Sequence, residues 1–204
     1  MLKNETLKAE ISFSLSAQPA LVLGPTQRDL HVVIERAQQR GVGCLVRDTG
    51  GTAVLDGPWL LTTKVVVPKE LANSVLAREK IISLFGAMHV AALQSMNVNA
   101  RLATEAVSAP PEHAWSCFAG VSRNEVITAT RKKIVGTSFR HGITHSYLVS
   151  GVLISPVDWP LLCELFGQAS AAADWMYGNT SFADCTPDQM MQSLTQQFDS
   201  QFSA

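Results

Sequence analysis

Apolar and polar positions recur along this chain at two different periods, and the switches between them mark out its elements. Ile11 to Leu15 alternates apolar residues with serine, and Ala20 to Leu23 is a short apolar run closed by Gly24-Pro25; both patterns predict strands. Leu30, Val33, Ile34 and Ala37 then recur at helical spacing, with Arg40 at the basic end and Gly41 placed as a glycine C-cap. Gly43 to Val46 reads as a buried strand, and Ala53 to Leu55 and the valine- and threonine-rich Leu60 to Val67 as the next two. Lys69 to Met96 is the longest helical segment, with Leu71, Val75, Ile82, Phe85, Ala92 and Met96 near one face. Gly86 inside it costs about 1 kcal/mol against alanine, which points to a kink or a close helix–sheet contact. His89, near that stripe, reads as a packed or partly exposed histidine rather than a ligand.

Asn99 to Val107 predicts another strand, and Ser108-Ala109-Pro110-Pro111 a loop. The run Cys117 to Ile154 reads as a connected set of strands. Within it Val126-Ile127 and Ile134-Val135, separated by Thr128-Ala129-Thr130, suit a hairpin. By the two-residue period Arg131, Lys133, Val135 and Thr137 share one face, so Lys133 enters the sheet where a hydrophobe is usual; Lys132 falls on the other face and reads as solvent-facing. On charge pattern alone Lys133 is a guard on a solvated edge strand. Pro156 and Pro160 bracket a turn, and Leu161 to Ala173 reads as a helix. Thr186-Pro187-Asp188-Gln189 supplies an N-cap, a first-turn proline and a capping-box glutamine, after which Met190, Leu194, Phe198 and Phe202 recur every four residues in a terminal amphipathic helix.

At 204 residues and 47% hydrophobic content the chain is long enough to bury one substantial core, which suggests a single domain over residues 1–204. A net charge of −1 gives no basis for nucleic-acid binding. Met1 to Ser16 mixes Lys3, Glu5, Lys8 and Glu10 with scattered apolar residues and lacks the apolar core of a signal peptide, and no run reaches membrane-spanning length. Cys44, Cys117, Cys163 and Cys185 show no CxxC spacing, which suits a reducing cytoplasm and disfavours a zinc site or any other metal site.

Two stretches change this picture. Arg47-Asp48-Thr49-Gly50-Gly51-Thr52-Ala53-Val54 places a glycine pair after a strand, a turn whose backbone can approach a phosphate or an acyl chain or simply connect two strands. Some eighty residues on come Arg131-Lys132-Lys133-Ile134-Val135-Gly136-Thr137-Ser138 and then Leu148-Val149-Ser150-Gly151-Val152-Leu153-Ile154. Together, in this order, they resemble the lipoate–protein ligase and octanoyltransferase superfamily, from about Ala20 to Ile154. The resemblance implies an α+β fold of the biotin/lipoate ligase catalytic-domain type, a mixed, mostly antiparallel sheet packed against helices. It implies that Arg47, Thr49, Gly50, Gly51, Thr52 and Ala53 line an acyl slot together with Gly136, Thr137, Ser138, Ser150 and Gly151. Lys133 would polarise the acyl carbonyl and stabilise the developing oxyanion. Some octanoyltransferases of the family carry a cysteine-phenylalanine pair about fifteen residues before that lysine. Cys117-Phe118 stands sixteen before Lys133, so Cys117 would carry the acyl group as a thioester, against the plain alternative of a buried structural thiol.

The function this implies is transfer of an octanoyl or lipoyl group from an acyl carrier protein to the lysine of a lipoyl domain, in a 2-oxoacid dehydrogenase or glycine cleavage protein, with no cofactor. The alternatives are ATP- and Mg2+-dependent ligation of free lipoate or octanoate through an acyl-adenylate, and a degenerate relative that binds an acyl group or carrier domain without turnover. The last is motivated by three departures from the family pattern. Asp48 stands where a second arginine is usual, Ser150 where a histidine precedes the glycine, and no helix precedes the first strands. His145 is a candidate replacement for the missing histidine. No room is left after the last helix for the accessory C-terminal domain that many of the ligases carry.

Overall fold

Cross-strand pairing gathers the strands into two sheets, which the computed structural model describes over residues 9–202. Half of the lead on which the reading against a signal peptide rests, residues 1–8, lies outside those residues. In the larger sheet β1 (Glu10–Ser14), β5 (Leu60–Pro68), β9 (His145–Leu153), β8 (Lys133–His141), β7 (Val126–Thr128) and β6 (Ala100–Leu102) lie in that spatial order. Every neighbour pair in it is antiparallel. The smaller sheet has β2 (Ala20–Leu23) at its centre, parallel to β3 (Gly43–Val46) and antiparallel to β4 (Val54–Asp56). The whole is α+β, mixed and mostly antiparallel.

Alternation decides which face of the large sheet is buried. Along β9, Ser146, Leu148, Ser150 and Val152 are buried while Tyr147, Val149 and Gly151 are half-exposed, and β5 shows the same period with Thr63, Val65 and Val67 inward. The inward face is covered by α2 (Val75–Ser95) and α5 (Pro187–Phe202), where Phe85, Met88, Leu93, Met190 and Leu194 are completely buried. Burying each such side chain contributes roughly 1.5–3 kcal/mol. The Thr186–Gln189 capping box forms as the sequence predicts: Gln189 N donates to Thr186 Oγ1 at 3.2 Å and Thr186 N to Gln189 Oε1 at 2.9 Å. A second core joins the small sheet to α1 (His31–Gln39), α3 (Trp159–Leu165) and α4 (Ser170–Asn179). The cleft described below opens between the two sheets.

Several sequence expectations change. β3 is an exposed edge strand, with Leu45 50% and Val46 44% accessible, because its outer side has no partner. The long helix starts at Val75 rather than Lys69. Ser74 caps it by accepting from Ala77 N, so Leu71 and Val75 are exposed and the buried stripe runs through Ile81, Phe85, Met88 and Ala92. Only Ala100–Leu102 of the Asn99–Val107 stretch pairs as a strand. The Leu161–Ala173 segment is divided between α3 and α4 by Gly167, whose φ of +65° ends the first helix. Gly86 serves the close contact: a Cβ there would lie 2.5 Å from Asn124 O and 2.7 Å from Leu102 Cδ2.

The largest departure is at Lys133. Val126 pairs with Val135 but Ile127 pairs with Lys133, so Ile134 is an extra residue on β8 and the ladder carries a bulge there. The bulge reverses the facing of whatever precedes it. Lys133 therefore sits on the side of Gly136, with Cε 3.3 Å from where a Gly136 Cβ would be, and not on the face of Val135 and Thr137 that strict alternation predicts.

Candidate active site

The cleft has a volume of about 950 Å³. Its floor is the half-exposed face of the large sheet, where strand register sets side chains in rows. Thr62, Gly151 and Gly136 make one row, Lys64, Val149 and Ser138 the next, and Tyr147 and Arg140 a third. Facing this floor is an apolar row from the small sheet, Leu45, Val22 and Val54, placed side by side by the β3–β2–β4 pairing. The loop Arg47–Gly50 closes one side. Arg47 is folded onto its own loop, donating from Nε to Gly50 O at 3.1 Å and from Nη2 to Thr52 O at 2.6 Å. Gly51 adopts φ +101°, a conformation that favours glycine, and a Cβ there would lie 2.6 Å from Arg47 Nη2 and 3.3 Å from Cys117 Sγ. The glycine thus lets the loop lie directly against the Cys117 thiol.

Cys117 and Phe118 line the same cleft. They are held by backbone pairing to the start of β4, with Ala53 N donating to Trp115 O at 3.1 Å and Cys117 N to Ala53 O at 2.9 Å. Lys133 lies behind them, 2% exposed. Its ammonium donates to Cys117 O at 2.8 Å and Gly120 O at 2.9 Å and pairs with Glu125 Oε2 at 2.7 Å, 5.2 Å above the Phe118 ring. A lysine has three protons to donate, and three acceptors surround this one. Glu125, equally buried, also accepts from Thr137 N at 3.0 Å and Ser122 N at 2.7 Å. The pair therefore ties β8 to the segment that carries Cys117. The other cysteines, Cys44, Cys163 and Cys185, are free, and burial pushes each thiol above its usual pKa, which keeps them protonated.

A family model described as the lipoyl protein ligase A/B catalytic domain matches residues 2–202. The chain belongs to this lipoyl ligase family. Among solved structures, lipoate-protein ligase A bound with ATP superposes with a TM-score of 0.68 at 16% identity, over 96% of this chain and 73% of that one. The bi-partite lipoate protein ligase of an archaeal lipoylation system from Thermoplasma acidophilum gives 0.68 at 17% identity, over 96% and 71%. P. falciparum LipL1 in complex with lipoate gives 0.61 at 14%, over 95% and 47%. At such identities the likeness is one of fold. No curated protein matches the sequence significantly.

Against the lipoyl ligase pattern, the structure accounts for both substituted motif positions. Asp48 forms an ion pair with Arg140 across the cleft, from the glycine loop to β8, so its charge is neutralised from the opposite wall. The Ser150 side chain points away from the cleft, into the layer beneath α2, where its hydroxyl lies 2.8 Å from His89 Nε2. His89 Nδ1 is 2.7 Å from Phe85 O, so Nδ1 carries the proton and donates to that carbonyl while Nε2 accepts from Ser150. His89 is completely buried, and desolvation lowers its pKa to about 4. His145, the histidine expected to compensate, is exposed at the start of β9 and contacts Thr144 Oγ1 instead.

Arg47, Thr49, Gly50, Gly136, Thr137, Ser138, Ser150, Gly151 and Cys117 all border the cleft. Gly51, Thr52, Ala53 and Lys133 stand just behind its lining. Lys132 precedes β8 and is half-buried. Sequence reasoning missed Glu125, whose signal was a carboxylate eight positions before a buried lysine, and Lys64 with Tyr147, which only the strand register brings into the cleft. No described helix is long and apolar enough to cross a membrane.

Proposed function

We propose that this lipoyl ligase relative moves an octanoyl or lipoyl group from a carrier thioester to the lysine of a lipoyl domain, with Cys117 as the intermediate acyl carrier. The supporting observation is the placement of the Cys117 side chain in the cleft, against the glycine loop and near the apolar Leu45–Val22–Val54 row, which suits an alkyl chain. The Cys117 thiolate attacks the thioester carbonyl, and the carrier thiolate leaves and takes up a proton. The amine of the acceptor lysine then attacks the Cys117 thioester, forming the amide and releasing the thiol. Lys133 acts at one remove: it fixes the Cys117 and Gly120 carbonyls and so holds the segment that presents the thiol to the cleft. The acyl donor is an acyl carrier protein and the acceptor a lipoyl domain of a 2-oxoacid dehydrogenase or glycine cleavage protein.

The likeness to a lipoate-protein ligase bound with ATP favours a second reading, ligation of free lipoate or octanoate with ATP and Mg2+. In that case Lys133 leaves Glu125 to contact the adenylate and Cys117 is structural. Intact-protein mass after incubation with an octanoyl carrier thioester, without ATP, separates the readings. The expected result is a hydroxylamine-labile octanoyl adduct that Cys117→Ser lacks. Absence of an adduct, with a lipoyl domain acylated only when ATP and Mg2+ are added, overturns the transfer reading. Acylation under neither condition leaves a protein that binds without turnover.

A further inference from the structure

Four cations stand in or beside the cleft, and three are already spent. Lys133 is paired with Glu125, Arg140 with Asp48, and Arg47 donates to the carbonyls of its own loop. Lys64 is the fourth. It is exposed, it lines the cleft, and among the described residues it has neither a carboxylate partner nor a hydrogen bond. Its ammonium lies 4.8 Å over the Tyr147 ring, so the side chain leans away from the Gly136–Gly151 row toward the row beyond its own. The ring and the strand register hold a positive charge at a fixed place in the cleft.

We propose that Lys64, held over the Tyr147 ring, forms an anion subsite that receives the phosphate of an acyl carrier's pantetheine arm; this rests on the transfer reading above. Position selects the source of the phosphate. Lys64 is two strands and two residues from Gly136, which places the α-carbons about 12 Å apart, and the ammonium leans further off. Gly136 lies beside Lys133 and Phe118, at the end of the cleft where the Cys117 segment sits. In an acyl-adenylate a single oxygen joins phosphorus to the acyl carbonyl carbon, so its phosphate cannot reach Lys64 while the carbonyl is at Cys117. In a phosphopantetheine thioester two amide units separate the phosphate from the thioester, a span that matches the separation. The alkyl chain then runs along the small sheet and the arm along the large one.

Calorimetric titration of the whole protein with 4′-phosphopantetheine and with pantetheine, which lacks the phosphate, tests this without requiring any acyl transfer. Wild type is expected to bind the phosphorylated form about tenfold more tightly, the scale of one charge-assisted hydrogen bond. Lys64→Met, which keeps the stem, should abolish that preference, and Lys64→Arg should restore it. Equal affinity of wild type for the two compounds, or an unchanged preference in Lys64→Met, overturns the subsite. AMP is the third probe: if Lys64→Met weakens it by the same factor, the cation reads nucleotide phosphate and the carrier assignment is wrong. A Lys64-dependent preference without an octanoyl adduct on Cys117 retains the subsite and removes the transfer reading; an adduct without the preference does the reverse.

Discussion

At Lys133, burial and not strand position decides what the side chain does. A cation that is 2% exposed persists only if its protons are accepted, and Glu125 with two backbone carbonyls does this. Removing one partner leaves a charge in the interior without its counterion. Glu125→Gln is therefore expected to destabilise the fold by about 3–5 kcal/mol, read as a fall in the midpoint of urea unfolding. The double variant Glu125→Gln/Lys133→Met should recover part of that loss, since the two changes share one interaction. A loss under about 1 kcal/mol in the single variant would mean that the ammonium is solvated through the cleft, contrary to its burial here. Asp48 shows the same dependence on context. Read along the chain it puts a negative charge in an acyl site, but Arg140, ninety-two positions later, neutralises it.

At the scale of elements, local signals were legible where they act between near neighbours in sequence. The capping box before α5, the glycine after α1 with φ +66° and the hairpin of β7 and β8 all form where the residues predict them. Element ends were less legible: hydrophobic spacing carried the long helix back to Lys69, whereas the Ser74 cap starts it at Val75. The bulge at Ile134 was invisible, because an extra residue shows only against the partner strand. Gly86 divides the two kinds of signal. Its helix propensity argues for alanine, by about 1 kcal/mol, but the β6 side chain and the loop before β7 leave no space for a methyl group. Gly86→Ala is expected to lower stability by about 1–3 kcal/mol net of that gain, measured by denaturant unfolding; a stabilised variant would show that the helix can shift off the sheet.

For the molecule as a whole, the two layers on the large sheet separate stability from chemistry. The inward face packs on α2 and α5, and the outward face forms the cleft floor. His89 and Ser150 lie in the first layer, so the histidine contributes to global stability and to its pH dependence. Its pKa falls from 6.5 in the unfolded chain to about 4 in the fold, so between those values the unfolded state binds more protons. The fold keeps the full contribution above pH 6.5 and loses it progressively as the pH falls toward 4, by about 3 kcal/mol in all. Urea unfolding at pH 7 and pH 4.5 should show this decline in wild type and a markedly smaller one in His89→Gln. An identical decline in both would place the acid sensitivity elsewhere.

By itself the sequence determined the α+β class, most of the strands and helices, and the two motifs that place the chain among lipoyl ligases. Periodicity, caps and glycine turns act over a few residues, and motif spacing survives in linear order. Only the tertiary structure decided which charges are spent. Lys133 is neutralised from Glu125, Asp48 from Arg140, and Ser150 is satisfied by His89 sixty-one residues away, while Lys64 remains in the cleft with only a ring beneath it. These pairings belong to strand register and layer packing, which bring together residues with no periodic relation along the chain. The family follows from the order of the residues, and the working geometry of its site from how the two sheets meet.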